Sequence, residues 1–121
     1  MNELKRILVI DDEPIVRATV NRILSKEIGY DVTLAENGKN GIERFKNENY
    51  DLILLDIKMP DIDGLDVLHE IVSYNPNQTV IIISGFYTEE TKEEAQKKGV
   101  FAFIEKPFTP FQLLEIVKKA I

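Results

Sequence analysis

The chain has 121 residues, 44% of them hydrophobic and 30% charged, which suits one compact domain over residues 1–121 with a core that needs no staples. It has no cysteine, which excludes disulfide frameworks and thiolate metal sites and fits a cytoplasmic location. A formal net charge of −6 argues against a nucleic-acid face, no apolar run approaches the roughly 20 residues of a membrane span, and the opening MNELKRILVI lacks the apolar segment of a secretory leader.

In chain order, the first predicted strand is RILVI (6–10). A helix follows in which Pro14 suits the first turn and Val16, Val20, Ile23 and Leu24 form one apolar stripe. The second strand is DVTLA (31–35), after which Asn37 can cap a helix presenting Ile42 and Phe45. DLILL (51–55) is the third strand, and the helix after it starts near Asp63-Gly64, shows Leu65, Leu68 and Val72, and ends before Pro76. The fourth strand is TVIII (79–83). Its helix, TEETKEEAQKKG, has acids first, lysines last and a terminal glycine, which suits the helix dipole and a glycine stop. Ala95 is almost its only apolar residue, so this helix is expected to be loosely anchored, with Glu93/Lys97 and Glu94/Lys98 pairs on its solvated face. VFAFIE (100–105) is the fifth strand, with Phe101 and Phe103 expected to divide between outside and inside. In the final helix Thr109, Pro110 and Gln112 occupy cap, first-turn and capping-box positions.

Three of the five strands are continuously apolar, the pattern of parallel strands covered on both faces. Five βα units in a row predict an α/β fold, an open, doubly wound parallel sheet with right-handed connections. In such sheets ligands lie beyond the carboxyl ends of the strands. That end collects Asp11, Asp12 and Glu13 after the first strand, Asp56 after the third, Ser84-Gly85 after the fourth and Lys106-Pro107 after the fifth. Singly, each has an ordinary role: Asp12 can cap a helix, Asp56 can end a strand, Ser-Gly is a common turn, and Lys106 can be a solvated lysine. Jointly they describe a phosphoryl site. Clustered carboxylates repel unless a hard cation such as Mg2+ sits among them, while a serine hydroxyl and a lysine ammonium can hold phosphoryl oxygens. His69, the one histidine, falls mid-helix and is read as structural or exposed.

The segments ILVIDDEP, LILLDIKMPDIDG, IIISG and FIEKPF resemble, in order and spacing, the receiver (CheY-like) domain of two-component response regulators, over essentially the whole chain. The resemblance implies a flavodoxin-like sheet in strand order 2-1-3-4-5. It implies that Asp56 is the phosphoacceptor, that Asp11 and Asp12 hold Mg2+ with Asp56 and the main-chain carbonyl of Lys58, and that Ser84 and Lys106 bind the phosphoryl oxygens. Phe103 takes the place of an aromatic switch residue, Lys58 and Phe86 fall where phosphoryl lifetime is tuned, and the Lys106-Pro107 bond is expected to be cis. The implied donor is a sensor histidine kinase or phosphotransfer protein. Output is expected through a partner or a dimer at the fourth helix, fifth strand and last helix, with no residues left for an effector domain and no turnover beyond the domain's own phosphorylation and dephosphorylation. Two other readings stand behind this one: a receiver that binds without phosphorylation, and an aspartate-nucleophile phosphohydrolase. The hydrolase class needs a DxD pattern after the first strand and a cap domain, whereas here the acids are adjacent.

Overall fold

Among residues 4–121, which the computed structural model describes, ten elements alternate along the chain. They are β1 (Lys5–Ile10), α1 (Pro14–Ser25), β2 (Tyr30–Ala35), α2 (Gly38–Asn47), β3 (Leu52–Leu55), α3 (Gly64–Tyr74), β4 (Val80–Ser84), α4 (Glu89–Lys97), β5 (Ala102–Glu105) and α5 (Pro110–Ala120). Residues 1–3, which open the stretch read above for a leader, lie outside the described residues.

The strands form one parallel sheet in the order β2-β1-β3-β4-β5, as the resemblance implied. Its core is split by the pleat. Ile7, Val9, Leu52, Leu54, Ile81 and Ile83 face α1 and α5, where they meet Val20, Leu24, Leu113 and Val117. Leu8, Ile10, Ile53, Leu55 and Ile82 face the other way, towards Phe45, Val67, Leu68, Ile71 and Ala95. Complete burial of both strand faces explains the continuous apolar runs, and each such side chain contributes about 1.5–3 kcal/mol of burial. No helix among the described residues is long and apolar enough to cross a membrane.

The helix ends follow the predicted chemistry, with one exception. Asn37 accepts from the Asn40 amide, Thr88 from Thr91, and Thr109 forms a reciprocal capping box with Gln112. At α1 the cap position belongs to Glu13 rather than Asp12, and its side chain makes no capping bond. In α3 the buried positions are Val67, Leu68 and Ile71, so the stripe is turned relative to the predicted one, and Leu65 and Val72 are half-buried at its margins. Gly99 ends α4 at φ +86°, a conformation that favours glycine.

Ala95 is the only buried residue of α4, so the loose anchoring expected of this helix is observed. Neither Glu93/Lys97 nor Glu94/Lys98 appears among the ion pairs of the described residues; Lys92 instead leans over the Tyr87 and Phe103 rings at 5.9 and 6.0 Å. Exposed pairs of long side chains gain little from closing, which explains why the predicted ones do not. β5 begins at Ala102, so Phe101 lies before the strand and stays exposed while Phe103 is half-buried against the core.

Candidate functional site

Strand register brings the site together. Ile10 pairs with Leu55, so the residues that follow, Asp11 and Asp56, leave adjacent strands side by side, and the Asp56 amide donates to the Ile10 carbonyl at 2.9 Å. Ser84 pairs with Glu105, which places Lys106 beside Gly85. The Lys106 side chain crosses over Gly85, where an added Cβ would sit 3.6 Å from the lysine Cβ. From the edge strand it then reaches back over β4: its Nζ lies 3.6 Å from Asp56 Oδ2, 3.1 Å from Asp11 Oδ2 and 2.7 Å from Glu13 Oε1. The Lys106-Pro107 peptide is cis.

Asp11, Asp12, Glu13 and Asp56 each place a carboxylate oxygen within 4.8 Å of the others. Lys106 meets three of these four carboxylates, so the cluster carries excess negative charge, and two of its members, Asp11 and Asp56, are buried. Asp56 shows the consequence: burial, and then the charge of Asp11, push its carboxyl up to about 7, against the opposing pull of Lys106. Burial likewise raises Asp11, although the Glu13 backbone N–H donates to its Oδ1 at 2.9 Å. Burial works to lower Lys106, but its bond to Glu13 and the charges of Asp11 and Asp56 outweigh this and hold the ammonium above its ordinary range. An all-oxygen donor set with uncompensated charge suits a hard divalent cation such as Mg2+.

Ser84 is fully buried, and its hydroxyl bonds with the following loop rather than with the acidic cluster. Its hydroxyl donates to the Phe86 carbonyl at 2.9 Å and accepts from the Phe86 amide at 3.2 Å. Phe103 packs against Tyr87 with ring centroids 4.5 Å apart and the ring planes tilted by 59°. Lys58 is exposed, its ammonium lies 5.7 Å from the Phe86 ring centre, and its backbone N–H helps to stabilise the Asp56 carboxylate. His69 is exposed on α3, in a groove with Lys46 and Tyr74.

Sequence reasoning missed two contributors, Asp61 and Tyr87, and the contact made by a third, Glu13. Glu13 was grouped with the acids, yet it makes the shortest contact to Lys106. Asp61 accepts from the Gly38 and Lys39 amides at 3.1 and 2.9 Å, tying the loop after β3 to the N-terminus of α2. Tyr87 is the neighbour of Phe103. Only Asp61 carried a usable signal, an acid within a loop rich in Pro and Asp; the other two depend on tertiary proximity.

Comparison with known proteins matches residues 7–118 to the model of the response regulator receiver domain. The chemotaxis protein CheY of Thermotoga maritima is 35% identical over 95% of this chain and 96% of its own length. Two longer curated relatives, AtoC of Escherichia coli and ZraR of Klebsiella oxytoca, match at 33% and 38% identity, and the chain spans about a quarter of their length. A CheY-like receiver domain from Methanospirillum hungatei JF-1 superposes with a TM-score of 0.93 at 34% identity, covering 97% of this chain and 93% of that one. The response regulator TrrA from Thermotoga maritima, solved in complex with Mg(2+)-BeF, gives a TM-score of 0.87 at 36% identity over 98% of this chain and all of its own. Sheet order, strand-end chemistry and these matches agree: the chain belongs to the response regulator receiver domain family of two-component signalling.

Proposed function

We propose that residues 1–121 act as a single receiver domain in which Asp56 accepts a phosphoryl group from a phosphohistidine of a sensor kinase or phosphotransfer protein. The observation that carries this reading is the convergence of Asp11, Asp56 and Lys106 from three strands, with Lys106 Nζ within 3.6 Å of both aspartates. Asp11, Asp12, Asp56 and the main-chain carbonyl of Lys58 would hold Mg2+, which when bound neutralises charge on the carboxylates and the incoming phosphoryl group. An Asp56 carboxylate oxygen attacks phosphorus in line. The O–P bond forms as the P–N bond breaks, and its electrons leave on the imidazole, which takes up a proton from water. Lys106 holds one transferred oxygen by charge.

Ser84 holds another, and to do so it must release Phe86. The exchange gives up two neutral hydrogen bonds of about 1 kcal/mol each and gains one to a charged group worth about 1.5–3 kcal/mol. The two sides nearly balance, which is what a reversible switch requires. Releasing the Phe86 carbonyl frees the loop that carries Tyr87, whose ring packs against Phe103. The change then reaches α4, where Ala95 is the one buried residue, and through it the face made by α4, β5 and α5, which meets an effector protein or a second copy.

Incubation with Mg2+ and acetyl phosphate, followed by intact mass, tests the central claim. One phosphoryl group should add to the wild type and none to Asp56→Asn. Absence of the adduct, or equal labelling of both proteins, overturns it.

A further inference from the structure

Lys106 has a partner that the phosphoryl reading does not use. Its shortest contact, 2.7 Å, runs to Glu13 Oε1, whereas Asp56 Oδ2 is the most distant of its three carboxylates at 3.6 Å. The Glu13 backbone is fixed. Its carbonyl accepts from the Arg17 amide at 3.0 Å, its amide donates to Asp11 Oδ1 at 2.9 Å, and Pro14 follows it at the start of α1. Its carboxylate, standing at a helix cap, makes no capping bond and is given to Lys106 instead. Glu13 also lines the cleft formed by Asp56, Lys58, Ser84, Gly85 and Lys106, into which a phosphoryl group on Asp56 would extend. Its side chain is 56% exposed, against 14% for Lys106 and 4% for Asp56, so it is the one member of the trio free to swing into water.

We infer that Glu13 is a positioning residue that acts as an internal, displaceable anion. It occupies the donor face of Lys106 before phosphorylation and must let go when a phosphoryl oxygen arrives. This rests on Asp56 being the phosphoacceptor. In the unloaded state Glu13 keeps the Lys106 arm extended over Gly85 and aimed at the acids. In the loaded state a carboxylate held beside a phosphoryl group would repel it, and exposure of Glu13 makes its departure cheap. The residue therefore prepares the lysine and at the same time competes with the ligand that the lysine is there to hold.

The test uses beryllofluoride at saturating Mg2+ as the phosphoryl mimic, with calorimetric titration of the wild type, Glu13→Gln, Lys106→Met and the double variant. Glu13→Gln keeps size and shape without the charge, and circular dichroism checks that it folds. Its beryllofluoride affinity should rise about fivefold, the scale of one partly exposed ion pair, and the gain should shrink in high salt. In the Lys106→Met background the same substitution should change nothing, because the competition runs through the lysine. An unchanged or weaker affinity in Glu13→Gln overturns the inference. So does an equal gain without Lys106, which would mark simple repulsion. A tenfold loss of Mg2+ affinity in the absence of beryllofluoride also overturns it, since Glu13 would then serve the cation. If the wild type binds no beryllofluoride at all, the phosphoacceptor reading fails and this one with it.

Discussion

Replacing Asp56 by Asn should stabilise the metal-free protein, by an amount that grows with pH. Burial, and after it the charge of Asp11, raise the Asp56 carboxyl from 3.8 in the unfolded chain to about 7. A carboxyl whose folded value lies above its unfolded one favours the fold fully below the unfolded value, and that contribution is lost as pH rises through the folded value. About three pH units separate the two. At about 1.4 kcal/mol per unit, keeping Asp56 ionisable costs about 4 kcal/mol above pH 8. Near pH 5 the unfolded chain is ionised at this position and the folded one is not, so the cost falls to about 2 kcal/mol, and by about pH 3 it is gone. Asn carries no charge in either state, so the difference between variant and wild type traces this curve. Urea unfolding in chelator at about pH 5 and about pH 8.5 measures it. Saturating Mg2+ should then narrow the gap, because a cation that binds the folded, ionised site stabilises the wild type by mass action. A difference that is flat with pH, or an Asn variant less stable than the wild type at high pH, would refute the reasoning.

Two further predictions concern the frame around the site. Gly64→Ala should lose about 2 kcal/mol, since its Cβ would collide with the Asp56 carbonyl oxygen and the Ile57 Cα, whereas Gly85→Ala, whose Cβ would rest 3.6 Å from that of Lys106, should stay within about 0.5 kcal/mol. Thermal unfolding at about 4 °C per kcal/mol resolves the two, and equal melting points would count against the packing assigned to Gly64. Asp61→Ala should cost about 1 kcal/mol at neutral pH and speed hydrogen exchange at the Gly38 and Lys39 amides. Burial is the largest single influence on Asp61 and opposes its ionisation, but the backbone amides of Lys39, Gly38, Asp61 and Ile62 together outweigh it and hold the carboxyl below its ordinary range. Its contribution is therefore present above the ordinary carboxylate value and should disappear as pH falls through the depressed one; exchange rates at those two amides that ignore the substitution would show that the tether does not hold.

How much of this was legible in the sequence depended on the kind of signal. LILL and VIII are buried on both faces, so period and composition pointed the same way and the sheet was readable. The strand-end residues were readable because one topological rule placed Asp11, Asp56, Ser84 and Lys106 at one edge. Strand order was not readable from period or spacing and came only through the family resemblance. What Lys106 touches was also hidden. Glu13 and Lys106 are 93 positions apart, and no local pattern says that a lysine on β5 will bond an exposed glutamate at the start of α1 more closely than the aspartate between them. The Glu93/Lys97 and Glu94/Lys98 pairs failed for the opposite reason. Helical spacing brings such groups within range but supplies too little energy to hold them there.

α4 buries a single residue, the methyl-bearing Ala95; of its other positions only Thr91 and Lys92 are half-buried, and the remaining six lie in solvent. Substitutions there are nearly free of folding cost, so this surface can be rewritten while the strand-end chemistry stays fixed. A lineage can therefore vary the exposed face of α4 while Asp56, Ser84 and Lys106 stay where the strands hold them. The thinly attached helix is thus where the molecule is most open to evolutionary change.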